Sequence, residues 1–109
     1  MPSKEISIAE LAATSDAVVI DVREIDEYVA GHIPGAINIP LSTVPDNIQN
    51  MTIASVVHLV CQAGGRSARA CDFLESQDGV HGTTFINVAG GTSGWILEGN
   101  DVVTGDQPF

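Results

Sequence analysis

Val56-Val57-His58-Leu59-Val60-Cys61-Gln62-Ala63-Gly64-Gly65-Arg66-Ser67 is the stretch whose reading decides the fold. Its first five residues form a nearly continuous apolar, β-branched run, the pattern of a strand covered on both faces. Two glycines follow, then an Ala-rich segment, Arg66 to Gln77, with Leu74 one turn beyond Ala70 and Cys71. That segment predicts a helix. A strand therefore runs into a short loop that opens a helix, and a cysteine sits where the strand ends.

The rest of the chain repeats the alternation. Val18-Val19-Ile20-Asp21-Val22, Ile37-Asn38-Ile39 and Phe85-Ile86-Asn87-Val88 are further strand candidates. Between them, Ser7 and Glu10 have capping-box spacing ahead of Leu11 to Ala13. Glu24 to Ala30 begins with acids and is closed by Gly31. Ser42 to Asn50 predicts a helix with Pro45 in its first turn. Thr92 to Glu98 predicts a short helix closed by Gly99, and Gly99 to Phe109 an exposed tail. Strand and helix in alternation imply an α/β domain, with a mainly parallel central sheet and right-handed crossovers.

Composition bounds the rest. At 109 residues the chain fits one domain, and 44% hydrophobic residues with only 5% aromatics give it an aliphatic core. Fourteen acids against four bases leave a net charge of −10. That argues against nucleic acid and against anionic membrane surfaces as partners. Apolar stretches of about five residues are far short of a membrane span. Met1 to Glu10 contains no apolar run of a signal peptide. Two cysteines, Cys61 and Cys71, are too few for a secreted disulfide scaffold. A cytoplasmic protein with free thiols is expected.

The chemistry is expected beyond the carboxyl ends of the strands, where open α/β sheets collect ligands. Unpaired N–H groups at a helix N-terminus favour a thiolate at Cys61. Gly64 and Gly65 permit backbone angles that point successive N–H groups inward, a cradle for an anionic group. Arg66 adds a fork for an oxyanion, and Ser67 can donate to the sulfur. Cys71, mid-helix, reads as a buried inert thiol. Arg23, Arg66 and Arg69, three of the four bases, lie in or near these segments, so positive charge is expected at the mouth.

Four segments together resemble the rhodanese family of sulfurtransferases, over about Ile6 to Val103. They are Ile20-Asp21-Val22-Arg23 with Glu27-Tyr28, Gly31-His32-Ile33-Pro34-Gly35-Ala36-Ile37-Asn38-Ile39-Pro40, the loop from Cys61 to Ser67, and Gly90-Gly91-Thr92-Ser93-Gly94-Trp95 with Gly99. The resemblance implies a single rhodanese-like domain of three layers. It implies that Cys61 takes the outer sulfur of thiosulfate or a related small anionic donor as a persulfide and passes it to cyanide or a thiol. The N–H groups of Gln62 to Arg66 would hold the charged sulfur. It implies no metal and no organic cofactor, and it allows a protein persulfide as partner. Asp21 is expected to bond loop backbone groups. Arg23 is expected to pair with an acid such as Glu27 or to help the mouth of the site. His32 reads as scaffold, His58 as a strand residue without ligand partners, and Trp95 as a packing anchor that can border the pocket.

Three other functions compete. A cysteine phosphatase would use a similar strand, loop and helix, but its loop has one residue more between Cys and Arg than the four here, Gln62 to Gly65. A smaller bowl suits one sulfur atom better than a phosphate. A non-catalytic binding module of the same fold would usually lack the loop cysteine, which is present. A sulfur carrier fed by another protein's persulfide would use the same Cys61.

Overall fold

Every strand of the sheet is parallel to its neighbours, so each connection must cross a face of the sheet, and the helices lie there. The computed structural model describes residues 4–77 and 82–109; Met1 to Ser3, the start of the stretch read for a targeting signal, lie outside the described residues. In chain order the elements are β1 (Lys4–Ile6), α1 (Ile8–Ala12), β2 (Val19–Asp21), α2 (Ile25–Ala30), β3 (Ile37–Asn38), a 3-10 helix (Leu41–Asp46), α3 (Ile48–Met51), β4 (Val56–Val60), α4 (Gly65–Glu75), β5 (Thr84–Val88) and α5 (Gly91–Leu97). The sheet order is β1-β5-β4-β2-β3, which puts β4 in the centre. This is the α/β architecture the alternation predicts.

Strand residues divide by parity between two cores. Ile20, Val57, Leu59, Cys61 and Phe85 pack with Ala70, Cys71 and Leu74 of α4 and with Val44 and Met51. On the other face Val19, Val60 and Val88 pack with Ile8 and Leu11 of α1, Tyr28 of α2, and Trp95 of α5. Cys61 thus faces α4, continuing the row of Val57 and Leu59.

Three features depart from the sequence reading. β1 is a strand that its Lys-Glu-Ile composition does not announce; it pairs on one side only, with β5. The segment 42–50 is not one helix: the 3-10 helix holds Pro45, and α3 is a separate turn after Asn47. Proline lacks the N–H that a continuous α-helix would need there. The C-terminal stretch is exposed at Thr104, Asp106, Gln107 and Phe109 yet tied to the body. Val103 and His32 exchange backbone hydrogen bonds of 2.9 Å, and the Gly35 and Gly105 N–H groups donate to Pro108 and Val29 carbonyls. His32 explains the docking: it is fully buried, stacked on Tyr28 at 3.7 Å, with ring nitrogens 2.8 Å from the carbonyl oxygens of Tyr28 and Gln107. It is scaffold, as expected.

Candidate active site

At the end of β4 the chain leaves the sheet at Cys61 and turns into α4 at Gly64, whose φ of +110° is left-handed. Glycine reaches that conformation without steric cost. The turn folds the chain back so that the Gly64 N–H donates to Cys61 Sγ at 3.1 Å. The Ser67 hydroxyl, one turn into α4, lies 3.3 Å from the same sulfur. Gly65 is already helical, and a Cβ there would meet nothing within 4 Å; its backbone does not require glycine.

Across the loop, α5 fixes the other side. The N–H groups of Thr92 and Ser93 donate to the carbonyls of Cys61 and Gln62 at 2.9 and 3.0 Å. In a trans peptide the following N–H points the opposite way. Holding these two carbonyls therefore turns the N–H groups of Gln62 and Ala63 away from α5. Gly91 makes the approach feasible: at φ +60°, a Cβ would lie 2.4 Å from the Cys61 oxygen and 2.6 Å from that of Gln62. The Gly90-Gly91 pair thus belongs to the site although it lies far from Cys61 in sequence.

Cys61 is 1% exposed. Burial pushes its thiol pKa up, but hydrogen bonds from the Ser67 side chain and from the N–H groups of Ser67, Gly64 and Ala63 outweigh it, leaving the thiol more acidic than usual. Cys71, on the buried face of α4, is pushed up to about 12 by burial, then by Glu75 and Asp72. The two cysteines are both free and chemically opposite. A single proton on Ser67 has more than one acceptor: besides Cys61, Asn87 Oδ1 lies at 2.5 Å, and the Asn87 amide donates to Glu5 at 3.2 Å. The sequence reading missed Asn87. Its only signal was a polar residue inside an apolar run.

The charged residues pair differently from expectation. Asp21 is fully buried and does take one loop N–H, that of Arg23, at 2.9 Å. Its main partner is the Arg23 side chain, through Nε at 3.1 Å and Nη2 at 2.9 Å. Arg23 also donates to the Gly31 carbonyl and, through Nη1, to Gln62 Oε1 at 3.1 Å. It braces the loop through Gln62; Arg23 pairs with an acid as expected, but that acid is Asp21 and not Glu27. Glu27 instead grips Arg66, two parallel bonds of 2.9 Å from Nη1 and Nη2. That pairing is the main cause that holds the Glu27 carboxyl down to about 2. The fork expected for a substrate oxyanion is therefore filled by a residue of α2. Gln62 is a bridge as well, its amide donating to Ser93 Oγ at 2.6 Å.

The remaining candidates fall away from the loop. His58 lies 3.1 Å from the Val18 carbonyl within the sheet. Trp95 packs in the second core, donates to the Asp101 carbonyl at 2.7 Å, and lines a cavity of about 300 Å³ with Leu11, Val19, Ile33 and Phe109. No residue of the Cys61 to Ser67 loop lines that cavity. Among the described residues no group of His, Cys, Asp and Glu could hold a metal, and no helix is long and apolar enough to cross a membrane.

The family model for the rhodanese-like domain matches residues 7–98. The chain is 33% identical over 99 residues to a Bacillus subtilis protein named "Putative sulfurtransferase YtwF", covering 87% of this chain and 92% of that one. It is 31% identical over 93 residues to a sulfurtransferase of Allochromatium vinosum, covering 85% and 84%. The crystal structure of a rhodanese-related protein from Thermoplasma volcanium superposes with a TM-score of 0.82 at 35% identity, covering 92% of this chain and 97% of that one.

Proposed function

This chain belongs to the rhodanese-like domain family, and from that premise we propose that it transfers sulfane sulfur through a persulfide on Cys61. The observation that carries the reading is the sulfur itself, buried yet acidified, with N–H and O–H donors converging on it. In the first half-reaction the Cys61 thiolate attacks the outer sulfur of thiosulfate or a related donor. The Cys61 S–S bond forms as the donor's S–S bond breaks, and sulfite leaves with the bonding pair. In the second, cyanide or a thiolate attacks the terminal sulfur and the Cys61 thiolate departs. The persulfide is an anion throughout, and the loop N–H groups and Ser67 stabilise it. A thiol on a small molecule or on a partner protein would take the sulfur. The acidified thiol needs a reducing compartment such as the cytoplasm to stay free.

Four residues between Cys61 and Arg66, and an Arg66 fork filled by Glu27, support sulfur transfer over phosphate chemistry. In thiosulfate:cyanide transfer, Cys61→Ser abolishes turnover, because an alcohol is not ionised near neutral pH and holds no persulfide. Cys71→Ser retains most of it. Turnover lost in folded Cys71→Ser and kept in Cys61→Ser would overturn the assignment.

A further inference from the structure

Two arginines stand beside the Cys61 loop, and a carboxylate holds each. Arg23 is consumed by Asp21, Gly31 and Gln62 inside the protein. Arg66 stands in the first turn of α4, directly after the loop, and both its Nη atoms are bound to Glu27. Each pair sums to zero. Of the other bases, Lys4 is on the edge strand, and Arg69 lines a groove with Leu41, Pro45 and Phe73. An anion at the loop therefore meets backbone N–H groups in a protein of net charge −10. The Asp21–Arg23 pair is buried, whereas the Glu27 and Arg66 side chains are each 31% exposed, so the second pair is the one a substitution can open without stranding a buried charge.

We propose that Glu27 determines the class of donor this loop accepts: by occupying the Arg66 fork it disfavours a dianion such as thiosulfate and leaves the loop matched to singly charged sulfane donors, persulfides R–S–S⁻ and thiosulfonates R–SO₂–S⁻. The inference rests on the Cys61 reading above. The chemistry balances for both donors. The Cys61 thiolate attacks the terminal sulfur, the donor's bond to that sulfur breaks, a thiolate or sulfinate leaves with the bonding pair as a monoanion, and the donor's own charge stays on the transferred sulfur as the Cys61 persulfide anion. A dianion carries a second charge, which an arginine freed from its carboxylate would compensate better than one held in an ion pair.

The test compares thiosulfate with methanethiosulfonate, a monoanion, by kcat/KM for persulfide formation in wild type, Glu27→Gln, Arg66→Gln and the double variant. Gln keeps an oxygen to accept the Glu24 N–H that Glu27 caps, so α2 is retained; Glu27→Ala gives a second reading should Gln perturb the helix. Freeing the fork should raise the thiosulfate-to-methanethiosulfonate ratio about tenfold. The rise should vanish when Arg66 is also replaced. An unchanged or lower ratio in folded Glu27→Gln and Glu27→Ala overturns the inference while leaving Cys61 in place. Failure of both donors to put sulfur on wild-type Cys61 overturns the reading beneath it as well.

Discussion

Cys61 gathers its acidity from donors that cost the fold almost nothing, since a helix start and a left-handed glycine supply N–H groups that have no other partner. Ser67 is the adjustable member, because its one proton is shared between Cys61 and Asn87. Following iodoacetamide alkylation against pH in a Cys71→Ser background, the Cys61 inflection falls below that of the same protein denatured. The sign follows from stabilising the charged form: the thiolate fraction rises at lower pH. Ser67→Ala moves the inflection up by about one unit, a hydrogen bond to a charged group being worth roughly 1.5–3 kcal/mol before its sharing with Asn87 is discounted. Asn87→Val moves it down, because the hydroxyl proton then has one competitor fewer. An inflection at the denatured value in wild type would show that the loop does not activate the thiol.

Among the elements, α4 and α5 cooperate on one loop, α4 aiming donors at the sulfur and α5 pinning the carbonyls behind it. Gly91→Ala drives a Cβ into the Cys61 and Gln62 carbonyls at positive φ, and urea unfolding should show a loss of about 2–4 kcal/mol. Gly65→Ala, with open space around the new methyl, should stay within about 1 kcal/mol of wild type. Equal stability of the two variants would contradict the bracing role of α5. The sheet, its helices and Cys61 to Ser67 were legible because apolar runs, caps and glycines act locally. β1 was not, since a three-residue edge strand with Lys and Glu needs no apolar alternation. Nor was the break in 42–50, where Pro45 is compatible with a first turn but equally with a 3-10 helix. The Glu27–Arg66 pair and the Ser67–Asn87 bond were hidden for another reason. Glu27 and Arg66 are 39 residues apart, and Asn87 is 20 from Ser67, so only the strand order brings them together.

For the molecule as a whole, the ion pairs of Arg23 and Arg66 leave neither arginine as a surplus positive charge to offset the net charge of −10. The Debye length shrinks from about 30 Å at 0.01 M salt to about 8 Å at 0.15 M, which screens remote acids while sparing hydrogen bonds within the loop. With an inert anion, kcat/KM for thiosulfate should rise over that range, and a neutral donor should change little; a steep fall for thiosulfate alone would mean that the arginines dominate the approach. All of this depends on sulfur being carried by Cys61, and intact mass tests that most directly. After incubation with thiosulfate and removal of the donor, the wild-type chain should gain the mass of one sulfur atom. Peptide mapping should place it on Cys61, and cyanide should remove it. A chain that gains no sulfur from thiosulfate or methanethiosulfonate, or gains it on Cys71, would contradict the account.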